Sequence, residues 1–269
     1  MNVVSRTKVR ASSWGALFDC AYKWEWEILL GNRKPVGLRA ALGTAIHAST
    51  AVYDRGQLDG SGIKPGDAAD VLIAKLQHPE YDVDMTQDEL TLREAETIGL
   101  QLHTKYCTTI APQMVYESVE AEFTPLDIDC GGGVIVQLTG TMDRARVAKR
   151  DALRRIVDLK SGARAIINNA VVTKGHAAQC GTYQILDDHT TGKRTDGAQI
   201  VGLMTSGHPR VGISEQFDAR RVMIGTDETK GLIEFAAEMF RTGLFPPNPR
   251  SLLCSPKYCA RWDHCIFHE

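Results

Sequence analysis

The segment Ile156-Val157-Asp158-Leu159-Lys160 constrains the fold more than any other stretch of this chain. A strand places residues i and i+2 on one face, so Asp158 and Lys160 point together while Val157 and Leu159 point into a core. Upstream, a second strand-like run carries Gly140-Thr141-Met142-Asp143. A short polar connection at 149–151 is expected to fold the two runs into an antiparallel hairpin, which sets Asp143 beside Asp158. Two carboxylates and a lysine on adjacent strands can hold a divalent cation and position a water against a phosphodiester. An isolated Asp-x-Lys is a weak signal, because surface strands alternate charge routinely.

The chain has 269 residues, 43% hydrophobic and 24% charged, the make-up of an ordinary globular protein with a substantial core. No run of about 18 apolar residues occurs, so no membrane span is expected. Residues 1–10 lack an apolar signal core, and the expected location is cytoplasmic. A net charge of −2 does not announce a nucleic-acid binder. The distribution is more suggestive, because Arg144, Arg146, Lys149, Arg150, Arg154 and Arg155 crowd the hairpin. They read either as a basic rim that draws phosphates toward an acidic pocket or as a solvated hairpin tip.

The hydrophobic period changes along the chain. Helices are expected from 12 or 13 to about 30, from 41 to 53 with His47 on it, from Pro65 onward, and from a capping box at Thr86-Gln87-Asp88-Glu89 to about 109. Strands are expected at 115–123, 134–147 and 153–159. A helix over 174–188, strands at 199–205 and 212–217 and a helix over 226–241 follow, before Pro246, Pro247 and Pro249 halt regular structure. This order suits an α/β sandwich with helical additions.

Further polar residues punctuate these elements. Gln179 and Tyr183 lie four apart, on one face of a helix. Glu120 and Glu122 share a face of the strand before the hairpin. His47 sits in the apolar run Gly43-Thr44-Ala45-Ile46-His47, where a lone histidine is more often a core residue than a ligand. Seven cysteines argue against a disulfide framework. Cys254-x4-Cys259-x5-Cys265 packs three soft ligands together, a pattern that selects zinc or an iron–sulfur cluster. His264 and His268 could complete a zinc site locally, whereas Cys20 on the first helix supplies a fourth sulfur from afar. Cys107, Cys130 and Cys180 lie in apolar or strand-like surroundings.

Taken in this order, the helix histidine, the Asp143 and Asp158-x-Lys160 pair, the Gln179/Tyr183 helix and the terminal cysteines resemble the RecB-like branch of the PD-(D/E)XK nuclease superfamily. The resemblance is to its cysteine-cluster members, which include the AddB nuclease domain, CRISPR-adaptation exonucleases and phage exonucleases. It implies a restriction-endonuclease-like α/β core, a mixed central sheet flanked by helices, as one nuclease domain over 1–269. A helical region at about 12–110 precedes the core at about 113–243, and 12–30 joins 250–268 in a cysteine staple.

The implied activity is that of a magnesium- or manganese-dependent DNA exonuclease acting on single strands or DNA ends, in recombination, phage replication or CRISPR adaptation. His47, Asp143, Asp158 and the Leu159 carbonyl would be metal ligands. Lys160 would orient or deprotonate the attacking water, unless it only forms a salt bridge to Asp158. Glu120, preferred over Glu122, would be an outer acidic residue, and Gln179 and Tyr183 would contact DNA or hold the lysine. Cys20, Cys254, Cys259 and Cys265 would bind a 4Fe-4S cluster in preference to zinc, although the family commonly has two residues where this chain has four between Cys254 and Cys259. No phosphate-binding loop of a helicase motor occurs, so processivity would come from homo-oligomerisation, a recombination or CRISPR-adaptation partner, or the DNA path. The competing readings are a catalytically inactive iron–sulfur nucleic-acid-binding protein and a zinc-stapled interaction module.

Overall fold

The computed structural model describes residues 5–147 and 152–268. The chain begins with β1 (Ser5–Arg10), α1 (Trp14–Asp19), α2 (Ala21–Trp24), β2 (Val36–Gly37), α3 (Leu38–Asp59) and α4 (Pro65–Gln77). It continues through β3 (Val83–Asp84), α5 (Leu92–Lys105), β4 (Tyr116–Glu122), β5 (Leu126–Asp129), β6 (Val134–Thr139) and β7 (Thr141–Val147). After β8 (Arg154–Gly162) come β9 (Ile166–Ile167), β10 (Ala170–Val171), α6 (Ala177–Thr191), β11 (Gly197–Met204), β12 (Arg210–Ile213), α7 (Arg220–Ile224) and α8 (Leu232–Thr242).

A five-stranded mixed sheet, in the order β12-β11-β8-β7-β4, forms the centre. The β8 and β11 strands pair in parallel, and the remaining neighbours are antiparallel. The β11 strand is buried on two faces, which explains its largely apolar run, whereas β8 buries Arg154, Arg155 and Asp158 among its apolar residues. Val157, Leu159, Val201 and Leu203 pack into one cluster with α3, α4 and α5. Ile156, Ala198 and Ile200 face the opposite layer, which holds α1, α2, α6, α8 and a smaller sheet of order β1-β6-β5. This is a mixed α/β fold with its central sheet flanked by helices, as expected.

Several boundaries differ, each for a tertiary reason. The Ser-Arg-Thr-Lys-Val-Arg run reads as polar, yet it forms β1 because it pairs in parallel with β6 and buries Val9. The expected strand over 134–147 is two strands in two sheets, divided at Gly140. A Cβ on Gly140 would lie 3.0 Å from the Tyr183 ring and 3.2 Å from Ala11. The expected first helix breaks at Cys20, whose backbone is extended. The capping box that begins α5 is Thr91 with Glu94, not Thr86 with Glu89. Thr86 instead donates its N–H and hydroxyl to Asp84, while Asp88 accepts the Arg39 N–H at the start of α3. The final helix starts at Leu232, because Gly225 turns the chain at a φ of +73°.

Candidate active site

The site lies where α3, β4, β7, β8 and α6 meet. Arg144 pairs with Val157 in the β7–β8 ladder, so the next step along it sets Asp143 opposite Asp158. Asp143 Oδ2 accepts the backbone N–H of Leu159 at 2.7 Å, which locks the carboxylate onto β8. The β4–β7 register places Val119 against Arg144 and Ala121 against Met142, leaving Glu120 across from Asp143. Glu120 adopts a left-handed φ of 50°, a conformation that a non-glycine residue holds only when its surroundings impose it.

The α3 helix delivers His47 from above. A Cβ on Gly43 would stand 2.6 Å from Ser161 Oγ, so glycine permits the helix to approach β8 one turn before His47. The imidazole Nδ1 then lies 3.4 Å from Asp143 Oδ1. Ligand atoms of His47, Glu120 and Asp143 all fall within 4.8 Å of one another, the one such trio of His, Cys, Asp or Glu among the described residues.

Asp158 and Lys160 form the second half. Lys160 Nζ is 2.6 Å from Asp158 Oδ2 and donates to Gln179 Oε1 at 2.9 Å. Gln179 Nε2 in turn donates to the Tyr183 hydroxyl at 2.9 Å. The four-residue spacing on α6 therefore builds a relay that holds the ammonium from the opposite side to Asp158. Glu122, the alternative to Glu120 on the same strand, is exposed and outside this cluster.

The charges are poised around burial. Burial pushes the Asp158 carboxyl up to about 6, and the Asp143 charge adds to it, while Lys160 pulls the other way. Asp143 is equally buried, but His47, Lys160 and Arg144 outweigh that and hold it well below the usual carboxylate range. Burial disfavours a protonated His47, yet Asp143 overcomes this and raises its pKa. Lys160 is also raised, since Asp158 and Asp143 outweigh its desolvation. Asp158 Oδ1 is buried and lacks a hydrogen-bond partner among the described residues. A divalent cation would supply that partner, and an imidazole with carboxylates suits magnesium or manganese. The donor set therefore fits a metal.

Arg144 is a correction to the sequence reading. It does not belong to a basic rim, for it is fully buried between Asp54 at 2.7 Å and Glu120 at 3.1 Å. Tyr106 and Tyr116 complete the network around Asp54. Arg154 is likewise buried, between Glu117 and Asp187, and Arg155 is buried beside Gln216. Lys149 and Arg150 lie outside the described residues. Strand alternation set Arg144 opposite Asp143 and toward α3, a signal that pointed inward.

The four terminal cysteines line one pocket with Tyr22, Asn248 and Arg261. All are free thiols. Asn248 donates its backbone N–H to Cys20 Sγ at 3.4 Å, across the break between α1 and α2. Burial and then the neighbouring Cys265 and Cys20 thiols raise the pKa of Cys254. Cys107 and Cys180 are buried elsewhere, and Cys130 is half-buried.

No helix among the described residues is long and apolar enough to cross a membrane. No curated protein matches the sequence. Among solved structures, a crystal structure of a provisionally assigned exonuclease from Eubacterium rectale is similar over 90% of this chain and 78% of its own. The identity is 16% and the TM-score 0.48. The profile of the PD-(D/E)XK nuclease superfamily matches residues 11–266, so this chain, with its paired strand carboxylates and neighbouring lysine, belongs to that superfamily.

Proposed function

We propose that the protein is a metal-dependent DNA exonuclease of the RecB-like branch, hydrolysing phosphodiester bonds in single strands or at DNA ends. Recombination, phage replication and CRISPR adaptation are the processes it would serve. The observation that carries this reading is the convergence of His47, Glu120 and Asp143 with the Asp158–Lys160–Gln179–Tyr183 relay. Held by His47, Asp143 and Asp158 with the Leu159 carbonyl, magnesium or manganese would polarise the scissile phosphate and make a hydroxide-like nucleophile accessible near neutral pH. Lys160 orients the attacking water and offsets charge that develops on the phosphate. Gln179 and Tyr183 keep the ammonium aimed at that position. Glu120 is held at the edge by Arg144, as an outer acidic group. An intact set of these groups argues against an inactive nucleic-acid-binding protein.

The cysteine pocket supports a 4Fe-4S cluster bound by Cys20, Cys254, Cys259 and Cys265. Four thiols from both ends of the chain gather at one pocket, an all-sulfur donor set of the kind that holds such a cluster. The staple joins the first helices to the last segment of the chain. Strand-resolved digestion of end-labelled DNA with magnesium or manganese tests the activity, with Asp158→Ala as control. Near-normal cleavage by that variant would remove the nuclease reading.

A further inference from the structure

The β1 strand, which the polar sequence concealed, lines a pocket beside the catalytic relay. Arg6, Lys8 and Arg10 alternate along one face of β1 while Val9 is buried on the other. Arg6 is neutralised by Asp127 at 2.8 Å. Lys8 and Arg10 are exposed and have no ion pair among the described residues. Both line a cavity of about 210 Å³ together with Thr139, Thr141, Glu122 and Tyr183.

Two further observations show that this pocket is built to receive a ligand. Thr139 lies opposite Arg10 in the β1–β6 ladder. It is 7% exposed, and its hydroxyl has no hydrogen-bond partner among the described residues. A buried hydroxyl left unpaired is costly, so such a group at a pocket wall calls for a partner from outside. Tyr183, on the same wall, accepts from Gln179, and Gln179 accepts from Lys160. The pocket is thus two side chains from the catalytic ammonium. Gly140 keeps the two regions contiguous, because a side chain there would press on the Tyr183 ring.

Two unpaired cations and a hydroxyl donor recognise an anion with several acceptor oxygens. We propose that this pocket is a subsite for a backbone phosphate of the nucleic-acid strand, flanking the scissile linkage and bound by Lys8, Arg10 and Thr139. It rests on the nuclease reading, and it would fix the register of the strand across Lys160. Glu122, the one carboxylate in the lining, opposes the phosphate, and the two cations outweigh its charge.

The test measures binding of the full-length protein to a short single-stranded oligonucleotide, with calcium in place of magnesium, across a salt series. Lys8→Ala/Arg10→Ala should weaken binding at least tenfold and flatten the logarithmic salt slope by about 0.7 per lost phosphate contact. Arg55→Ala/Lys64→Ala, which removes two exposed cations elsewhere, should change little. Oligonucleotides carrying one neutral methylphosphonate, stepped along the strand, should show a penalty at one position with the wild type and none with the double variant. Thr139→Val separates the readings further. As a mere packing residue it should raise the melting temperature and leave affinity unchanged, whereas as a ligand group it should lower affinity. Unchanged affinity and slope in Lys8→Ala/Arg10→Ala, or an equal loss in the Arg55/Lys64 control, overturns the subsite while cleavage keeps the nuclease reading. A wild type that neither binds nor cleaves nucleic acid overturns both.

Discussion

Asp143 accepts the Leu159 backbone N–H at 2.7 Å, so the carboxylate of one strand is fastened to the strand that presents Asp158 and Lys160. This bond from backbone to side chain restricts the Asp143 carboxylate, and strand pairing sets the backbone positions from which both acidic groups project. Such preorganisation is what a site needs when charge develops on a phosphate during reaction.

Removing the side chain of Asp158 or Lys160 should therefore stop chemistry without unfolding the protein. Asp158→Ala and Lys160→Ala are expected to lower DNA cleavage at least about 10²-fold. Circular dichroism and a DNA-binding assay should show that both variants remain folded and bind. Wild-type rates in a well-folded Asp158→Ala protein would contradict the assignment.

At the proposed metal site, Asp158 and His47 are raised and Asp143 is lowered, and each contributes to the pH response with its own sign. Asp158 in the folded state titrates at about 6, above its ordinary value. Its contribution is full below the unfolded pKa and is lost as pH rises through about 6. His47 is also raised, and its contribution likewise disappears as pH climbs through its folded pKa. Asp143 is lowered, so its contribution is present above the unfolded pKa and is lost only in acid. Relative to Asp158→Asn, the metal-free melting temperature should thus fall between about pH 5 and 8, a comparison that cancels His103 and His176, whose lowered pKa acts in the opposite sense. Manganese should restore it most at the upper end, where the ligands no longer need to shed protons. Thermal denaturation across this range, with and without manganese, measures both effects; a manganese shift independent of pH would rule them out.

Gly43 sets the height of His47. Gly43→Ala places a methyl against Ser161 Oγ and should weaken metal-dependent activity severalfold. Adding Ser161→Ala should recover most of the loss, since it removes the colliding atom. His47→Ala should also weaken activity, with partial rescue by excess manganese, which tolerates nitrogen ligands better than magnesium does. Titrations of activity against each metal distinguish lost coordination from lost packing.

Arg144→Met should cost about 3–5 kcal/mol, because Asp54 would be left buried without its counter-charge. Replacing both residues by apolar ones of similar volume should recover much of that stability while still harming activity through Glu120. Chemical denaturation of the single and double variants reads the difference. Equal losses would mean that Arg144 serves only as packing.

Protein purified without oxygen should be brown and contain iron and sulfide with little zinc. Cys20→Ser should bleach it as fully as Cys254→Ser, Cys259→Ser or Cys265→Ser. Cys107→Ser, Cys130→Ser and Cys180→Ser should keep the colour, because those thiols lie outside the pocket. Loss of the cluster should lower thermal stability. Stoichiometric zinc in colourless, fully active protein would exclude the iron–sulfur cluster and leave the nuclease intact.

What the sequence by itself determined were relationships within one element. The i, i+2 placement of Asp158 and Lys160 follows from strand geometry, and the i, i+4 placement of Gln179 and Tyr183 from helix geometry. Pro65 opens α4 because a proline suits the first helical turn. The tertiary structure decided which of two similar capping sequences starts α5, since Asp88 is drawn instead to the amide of Arg39. It also decided that β1 is a strand, that Gly140 divides one apolar run between two sheets, and that Arg144 is buried. The location of Cys20 beside a pocket shared with Cys254, Cys259 and Cys265 has the same origin. Local spacing is imposed by covalent geometry and hydrogen bonding within one segment. Pairing partners and burial depend on which surfaces of distant segments exclude water together, and no single segment encodes that.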